Sequence, residues 1–171
     1  RLPGWVGVAD LVVAVSRSGR TEETLEATAQ AVRRGCRLLA VGAPDSPLQA
    51  LAEQASGPFV PAVLERRTRA ALWELALPPL VAASALGLVR LTEEVVEAAA
   101  RRLEEVAYRC RPTSESFVNP AKTLALELAD TLPVIWGSSA LAGVAAHRLA
   151  CQLHENAKYP ALWGALPEAG R

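Results

Sequence analysis

Asp10-Leu11-Val12-Val13-Ala14-Val15 runs directly into Ser16-Arg17-Ser18-Gly19-Arg20-Thr21-Glu22-Glu23. The first stretch is short, apolar and rich in β-branched residues, which predicts a fully buried strand. The second is small and polar. It opens a helix whose apolar residues Leu25, Ala29 and Val32 recur at helical spacing, with Gly35 closing it. Outward from there, residues 37–41 read as a second strand. Residues 42–47 form a turn, with Ser46 as N-cap and Pro47 at the first position of a short helix through Ala55. Phe59-Val60 is a third, brief strand. Strand, helix, strand, helix, strand at this spacing predicts an α/β fold with a parallel sheet.

The pattern then turns helical over 67–88 and again over 92–108. In the second stretch Glu93, Glu94 and Glu97 precede Arg101 and Arg102, which suits one solvated face. Residues 110–114 read as a boundary. Beyond it come a helix over 120–128, a strand over 132–137 and a long helix over 139–157, so the same order of elements starts twice.

The composition narrows the function classes. The chain has 171 residues, 51% hydrophobic and 21% charged, enough for a sizeable core and unlike disordered or coiled-coil sequences. Eighteen basic side chains balance eighteen acidic ones, so neither nucleic acid nor a membrane surface is expected as a partner. Cys36, Cys110 and Cys151 are odd in number and form no CxxC pair, which speaks against a disulfide framework or a zinc site. Each is expected to be a small buried residue in a reducing, cytoplasmic setting. The most apolar segment, over 75–89, is shorter than the roughly 20 residues a bilayer span needs, and Pro78-Pro79 interrupts it. The opening Arg-Leu-Pro-Gly-Trp lacks the pattern of a signal peptide. The absence of methionine, even at position 1, leads to the expectation that the chain is a piece of a longer one.

The serine-rich loop carries the strongest local chemistry. Ser16, Ser18 and Thr21 cluster between strand and helix, and Gly19 lets backbone approach a ligand. Free N–H groups and the positive end of the helix dipole favour a phosphate or carboxylate there. A plain capping segment, with Thr21 or Ser18 as N-cap, would use the same residues. The position after a buried strand favours the ligand, because open α/β sheets bind at the carboxyl ends of their strands. His147 and His154 lie seven apart on one helix without a third ligand at matching spacing, and read as ordinary helix residues. Trp5, Trp73, Trp136 and Trp163 share no one face and read as core or interface.

Ser16-x-Ser18-Gly19-x-Thr21-x-Glu23-Thr24-Leu25 resembles the phosphate loop of the sugar isomerase (SIS) domain. Ser46-Pro47-Leu48-x-x-Leu51-Ala52 fits the same domain. Three later stretches resemble bifunctional phosphoglucose/phosphomannose isomerases: Asn119-Pro120-Ala121-Lys122, then Gln152-Leu153-x-Glu155-Asn156-Ala157-Lys158-x-Pro160-Ala161, then Leu166-Pro167-Glu168-Ala169. The resemblance implies a doubly wound, flavodoxin-like parallel sheet. Residues 1–88 would be a first SIS subdomain lacking its N-terminal elements, 89–111 a connecting helix, and 112–171 the start of a second subdomain.

By the same resemblance Ser16, Ser18, Gly19 and Thr21 would bind the phosphate of a hexose 6-phosphate, and no metal or cofactor is implied. Arg69 would steady the sugar's reacting oxygens, and Glu155 would move a proton between C1 and C2. Aldose–ketose isomerisation through an enediolate needs such a carboxylate and such a cation. Glu155 stands near the C-terminal end of its helix, where the dipole and partial burial would make it a better base. Without the resemblance, Arg69 beside Arg66 and Arg67 would read as a surface cluster, and Glu155 as an exposed helix-end carboxylate. The family's histidine after Leu-Pro-Glu-Ala, which helps open the sugar ring across a dimer, has Gly170-Arg171 in its place. Two functions follow: a homodimeric phosphosugar isomerase, or a sugar-phosphate-binding module without catalysis.

Overall fold

The computed structural model describes residues 2–62, 71–167 and 169. They form two compact units, Arg1–Leu91 and Thr92–Arg171.

In the first unit, β1 (Leu11–Ser16), α1 (Glu22–Arg33), β2 (Arg37–Gly42), α2 (Pro47–Gln54) and β3 (Phe59–Pro61) alternate as expected, and α3 (Leu72–Ala85) follows. The three strands are parallel, in the order β1-β2-β3. Register runs from Leu11 opposite Arg37 to Ser16 opposite Gly42, so β1 and β2 end side by side. β2 is central and its apolar run Leu38–Val41 is buried, whereas β1, expected to be fully buried, stands at the edge of the described sheet with Leu11 and Val13 exposed. Ala14, Leu38, Ala40, Leu48 and Ala52 form the main cluster, with Leu25, Val32 and Phe59 packed against it. Burying leucines such as Leu38 and Leu48 contributes roughly 1.5–3 kcal/mol each. α1 turns Thr28 and Ala31 fully inward, with Leu25, Ala29 and Val32 only half-buried. The Thr28 hydroxyl is satisfied by the Thr24 carbonyl at 2.7 Å.

Two local expectations are corrected here. Pro78 and Pro79 do not interrupt the apolar segment, since α3 runs through both. Proline's fixed φ is itself helical; its lost N–H bond and its ring's clash with the carbonyl four residues back cost about 3 kcal/mol per proline, and the turns on either side still carry the helix. Cys36 is buried, but Cys110 and Cys151 are only partly so. Among the described residues no helix is long and apolar enough to cross a membrane.

The second unit holds α4 (Glu93–Arg109), a 3-10 turn (Ser116–Val118), α5 (Pro120–Leu128), β4 (Val134–Gly137), α6 (Ala140–Gln152), a π turn (Leu153–Ala157) and β5 (Leu162–Ala165). β4 and β5 pair in parallel, from Val134 opposite Leu162 to Gly137 opposite Ala165. β5 was not expected, because Leu-Trp-Gly-Ala carries no alternation and its pairing is made across 28 residues. α6 buries only small residues, Gly143, Ala146 and Ala150. That lets it lie close on the sheet, where a Cβ on Gly137 would collide with the α6 backbone at Ala142 and Gly143. The charged face of α4 pairs Arg101 with Glu97 at 3.3 Å and Arg102 with Glu105 at 2.8 Å. Such exposed pairs are worth about 0.2–0.5 kcal/mol each. At its start, the Thr92 hydroxyl bonded to Glu94 holds that carboxyl below its ordinary value.

Candidate functional site

In the first unit the expected ligand residues gather where β1 and β2 end. Ser16, the last residue of β1, is buried, and its hydroxyl lies 2.8 Å from that of Thr21. Thr21 stands at the N-cap position of α1, yet its hydroxyl is turned to Ser16 and makes no capping bond among the described residues. Ser18 is exposed, and its Oγ accepts the Arg20 N–H at 3.2 Å. The Gly19 N–H donates to Ser16 O at 2.9 Å, folding the loop back over the strand end.

Gly19 shows why the loop needs that residue. Its φ is +63°, a conformation open to glycine at no steric cost. A Cβ there would also strike the Ser46 hydroxyl. Leu48 N donates to Gly19 O at 3.2 Å, tying the loop to the first turn of α2. Gly42 makes the same allowance from the other strand, since a Cβ on it would collide with Ser16 O. The starts of α1 and α2 are thus held together at one sheet end, with the Ser46 side chain against Gly19. Ser46 caps α2 as expected, accepting the Gln49 N–H at 3.4 Å. Its nearness to Gly19 had no signal in the sequence. Beside it opens a shallow cleft of about 430 Å3, lined by Arg20, Asp45, Ser46, Gln49 and Glu53 among others.

Arg69 lies outside the described residues, as do Glu168, Gly170 and Arg171.

In the second unit Glu155 is on the π turn that ends α6. Single π turns inside or after α-helices occur frequently at functional sites. Glu155 is exposed, however, which corrects the expectation of partial burial. Lys158, with φ +57°, reverses the chain, and its Nζ donates to Glu155 O at 3.0 Å. The two histidines have specific partners. His147 stacks on Trp163 with ring centroids 4.4 Å apart, and His154 Nε2 meets the Ala161 backbone. Asn119-Pro120-Ala121-Lys122 is a structural clasp. The buried Asn119 side chain accepts from Ala121 and Lys122 N–H groups and donates to Arg111 O. Lys122 Nζ then donates to Pro112 O and Ser114 O. Among the described residues no group of three or more His, Cys, Asp or Glu could hold a metal ion.

Residues 117–171 match the family described as the bacterial phospho-glucose isomerase C-terminal SIS domain. A bifunctional phosphoglucose/phosphomannose isomerase from Caldicellulosiruptor bescii is 33% identical over 167 residues, 98% of this chain. Residues 117–171 thus belong to the sugar isomerase (SIS) family, and the likeness to the isomerase runs through the rest of the chain. Solved structures agree on the fold. A candidate phosphosugar isomerase from Bacillus subtilis superposes with a TM-score of 0.68 at 20% identity, covering 98% of this chain and 50% of that one. The C-terminal domain of a glucosamine-fructose-6-phosphate aminotransferase from Francisella tularensis gives 0.61 at 18%, covering 98% and 49%. The chain spans about half the length of the curated relative it matches.

Proposed function

We propose that this chain is the phosphosugar-handling part of an isomerase that interconverts fructose 6-phosphate with glucose 6-phosphate, mannose 6-phosphate or both. The observation that carries the reading is the hydroxyl cluster of Ser16 and Thr21 at the carboxyl end of a parallel strand, in a chain 33% identical to a bifunctional isomerase. Ser16, Ser18, Gly19 and Thr21 bind the phosphate through hydroxyls and the N–H groups that start α1. Glu155 takes a proton from C1 of the open-chain ketose, leaving an enediolate, and returns it at C2 to give the aldose. Arg69 stabilises the negative charge on the sugar oxygens. The chemistry moves protons only, and asks for no redox cofactor.

Within this reading, residues 1–88 act as a first SIS subdomain, 89–111 as a connecting helix and 112–171 as the start of a second, and two copies assemble as a homodimer. The test is solvent-deuterium exchange into fructose 6-phosphate followed by proton NMR, with the unaltered chain and Glu155→Gln. Exchange that vanishes in the variant supports the isomerase. The exposure of Glu155 favours a second reading, a sugar-phosphate-binding module without catalysis. Binding of fructose 6-phosphate with no exchange by the unaltered chain would select it.

A further inference from the structure

Glu155 owes its placement to a turn that regular helix geometry would not produce. α6 passes at Gln152 into the π turn Leu153–Ala157, and Tyr159 N closes it by donating to Leu153 O at 3.1 Å. π turns are rare, and this one is held by side chains on both sides of it. One support is Tyr159, whose hydroxyl is 2.7 Å from both Leu128 O and Thr131 O and accepts the Thr131 N–H at 3.0 Å.

The other is the neighbour of Glu155 itself. His154 Nε2 lies 3.0 Å from Ala161 O and 3.1 Å from Ala161 N. One ring nitrogen cannot make both bonds at once. Protonated, it donates to the carbonyl; unprotonated, it accepts the N–H. Either neutral tautomer and the imidazolium therefore each keep one bond to Ala161. Ala161 is buried, and the next residue, Leu162, opens β5 and donates to Pro133 O at 2.9 Å. His154 thus bridges the residue before Glu155 to the start of a strand.

We propose that His154 is the positioning residue for Glu155: by pinning the π turn to Ala161 it sets where the carboxylate points, without touching the substrate. The proposal rests on the isomerase reading given above. It concerns orientation, so removing the ring should slow proton transfer and leave sugar-phosphate binding alone.

The experiment compares the full chain, His154→Ala and His154→Gln. A glutamine amide reaches about as far as Nε2 and can donate and accept together. Two quantities are read: kcat and KM for deuterium exchange into fructose 6-phosphate, and hydrogen exchange of the Tyr159, Ala161 and Leu162 amides. His154→Ala is expected to lower kcat on the order of 10²-fold, the effect of misplacing a catalytic group by about 1 Å, with KM unchanged. Its Ala161 amide should lose protection, and His154→Gln should restore both. Parent kcat and protection in His154→Ala would overturn the proposal. So would a raised KM at unchanged kcat, or a His154→Gln as impaired as the alanine variant. Should His154→Ala fail to fold, His154→Gln decides, since parent kcat and protection support the pin and their loss overturns it. If the unaltered chain exchanges no deuterium, the isomerase reading fails separately. The amide data then decide alone: protection lost in alanine and regained in glutamine supports the pin, and unchanged protection overturns it.

Discussion

Gly19, in the left-handed conformation at φ +63°, is seated against Ser46 so closely that a single Cβ on the glycine would strike the serine hydroxyl. The contact joins two loops that leave neighbouring parallel strands. It brings the starts of α1 and α2 together at the sheet end where the Ser16 and Thr21 hydroxyls meet.

Gly19→Ala should therefore act twice. The left-handed backbone alone costs about 1–2 kcal/mol for a residue with a Cβ. The displaced Ser46 would also loosen the cap of α2. Thermal unfolding should move down, and affinity for fructose 6-phosphate should fall with it; a variant with parent stability would contradict the close contact.

The bond between Ser16 and Thr21 can be isolated by a double-mutant cycle. Ser16→Ala and Thr21→Val should each lower stability by about 1 kcal/mol, and the pair together by less than the sum. If the phosphate sits there, each single change should also weaken fructose 6-phosphate binding on the order of tenfold or more, as for a lost bond to a charged group. Calorimetric titration of the three variants reads it.

Glu155→Gln keeps size and polarity and removes only the proton acceptor. Deuterium exchange into fructose 6-phosphate should disappear while the Kd for the sugar phosphate changes little. Because Glu155 is exposed, the unfolding temperature should stay at the parent value.

Asn119→Ala removes the α5 cap and one of the two donors to the Arg111 carbonyl, which keeps the Ser114 N–H. A loss of about 1–2 kcal/mol is expected. In a chain of this size that lowers the midpoint by roughly 2–4 °C per kcal/mol. Differential scanning calorimetry measures it, and sugar-phosphate binding in the first unit should be unaffected.

Much of this was legible in consecutive residues. The apolar run ending at Val15 made a strand, Ser46-Pro47 opened a helix where capping chemistry demands it, and a helix over 120–128 was read as well. The small polar stretch from Ser16 to Thr21 read as a candidate ligand loop from its place after an apolar strand, although β1 leaves Leu11 and Val13 exposed. Other features were hidden. β5 has four residues and no alternation, and α3 carries two prolines that local rules would take as a stop. The exposure of Glu155 depended on what packs around the end of α6, which no spacing along the helix reveals.

By itself, then, the sequence determined the order of elements through α6, the Ser46 cap of α2 and the polar loop that follows β1, since these follow from neighbours a few residues apart. Only the tertiary structure decided that Gly19 meets Ser46, that β4 finds β5, and that His154 is pinned to Ala161 beside Glu155. Those contacts depend on how closely two separate stretches of backbone approach, and close approach is set by packing of the whole unit rather than by local pattern.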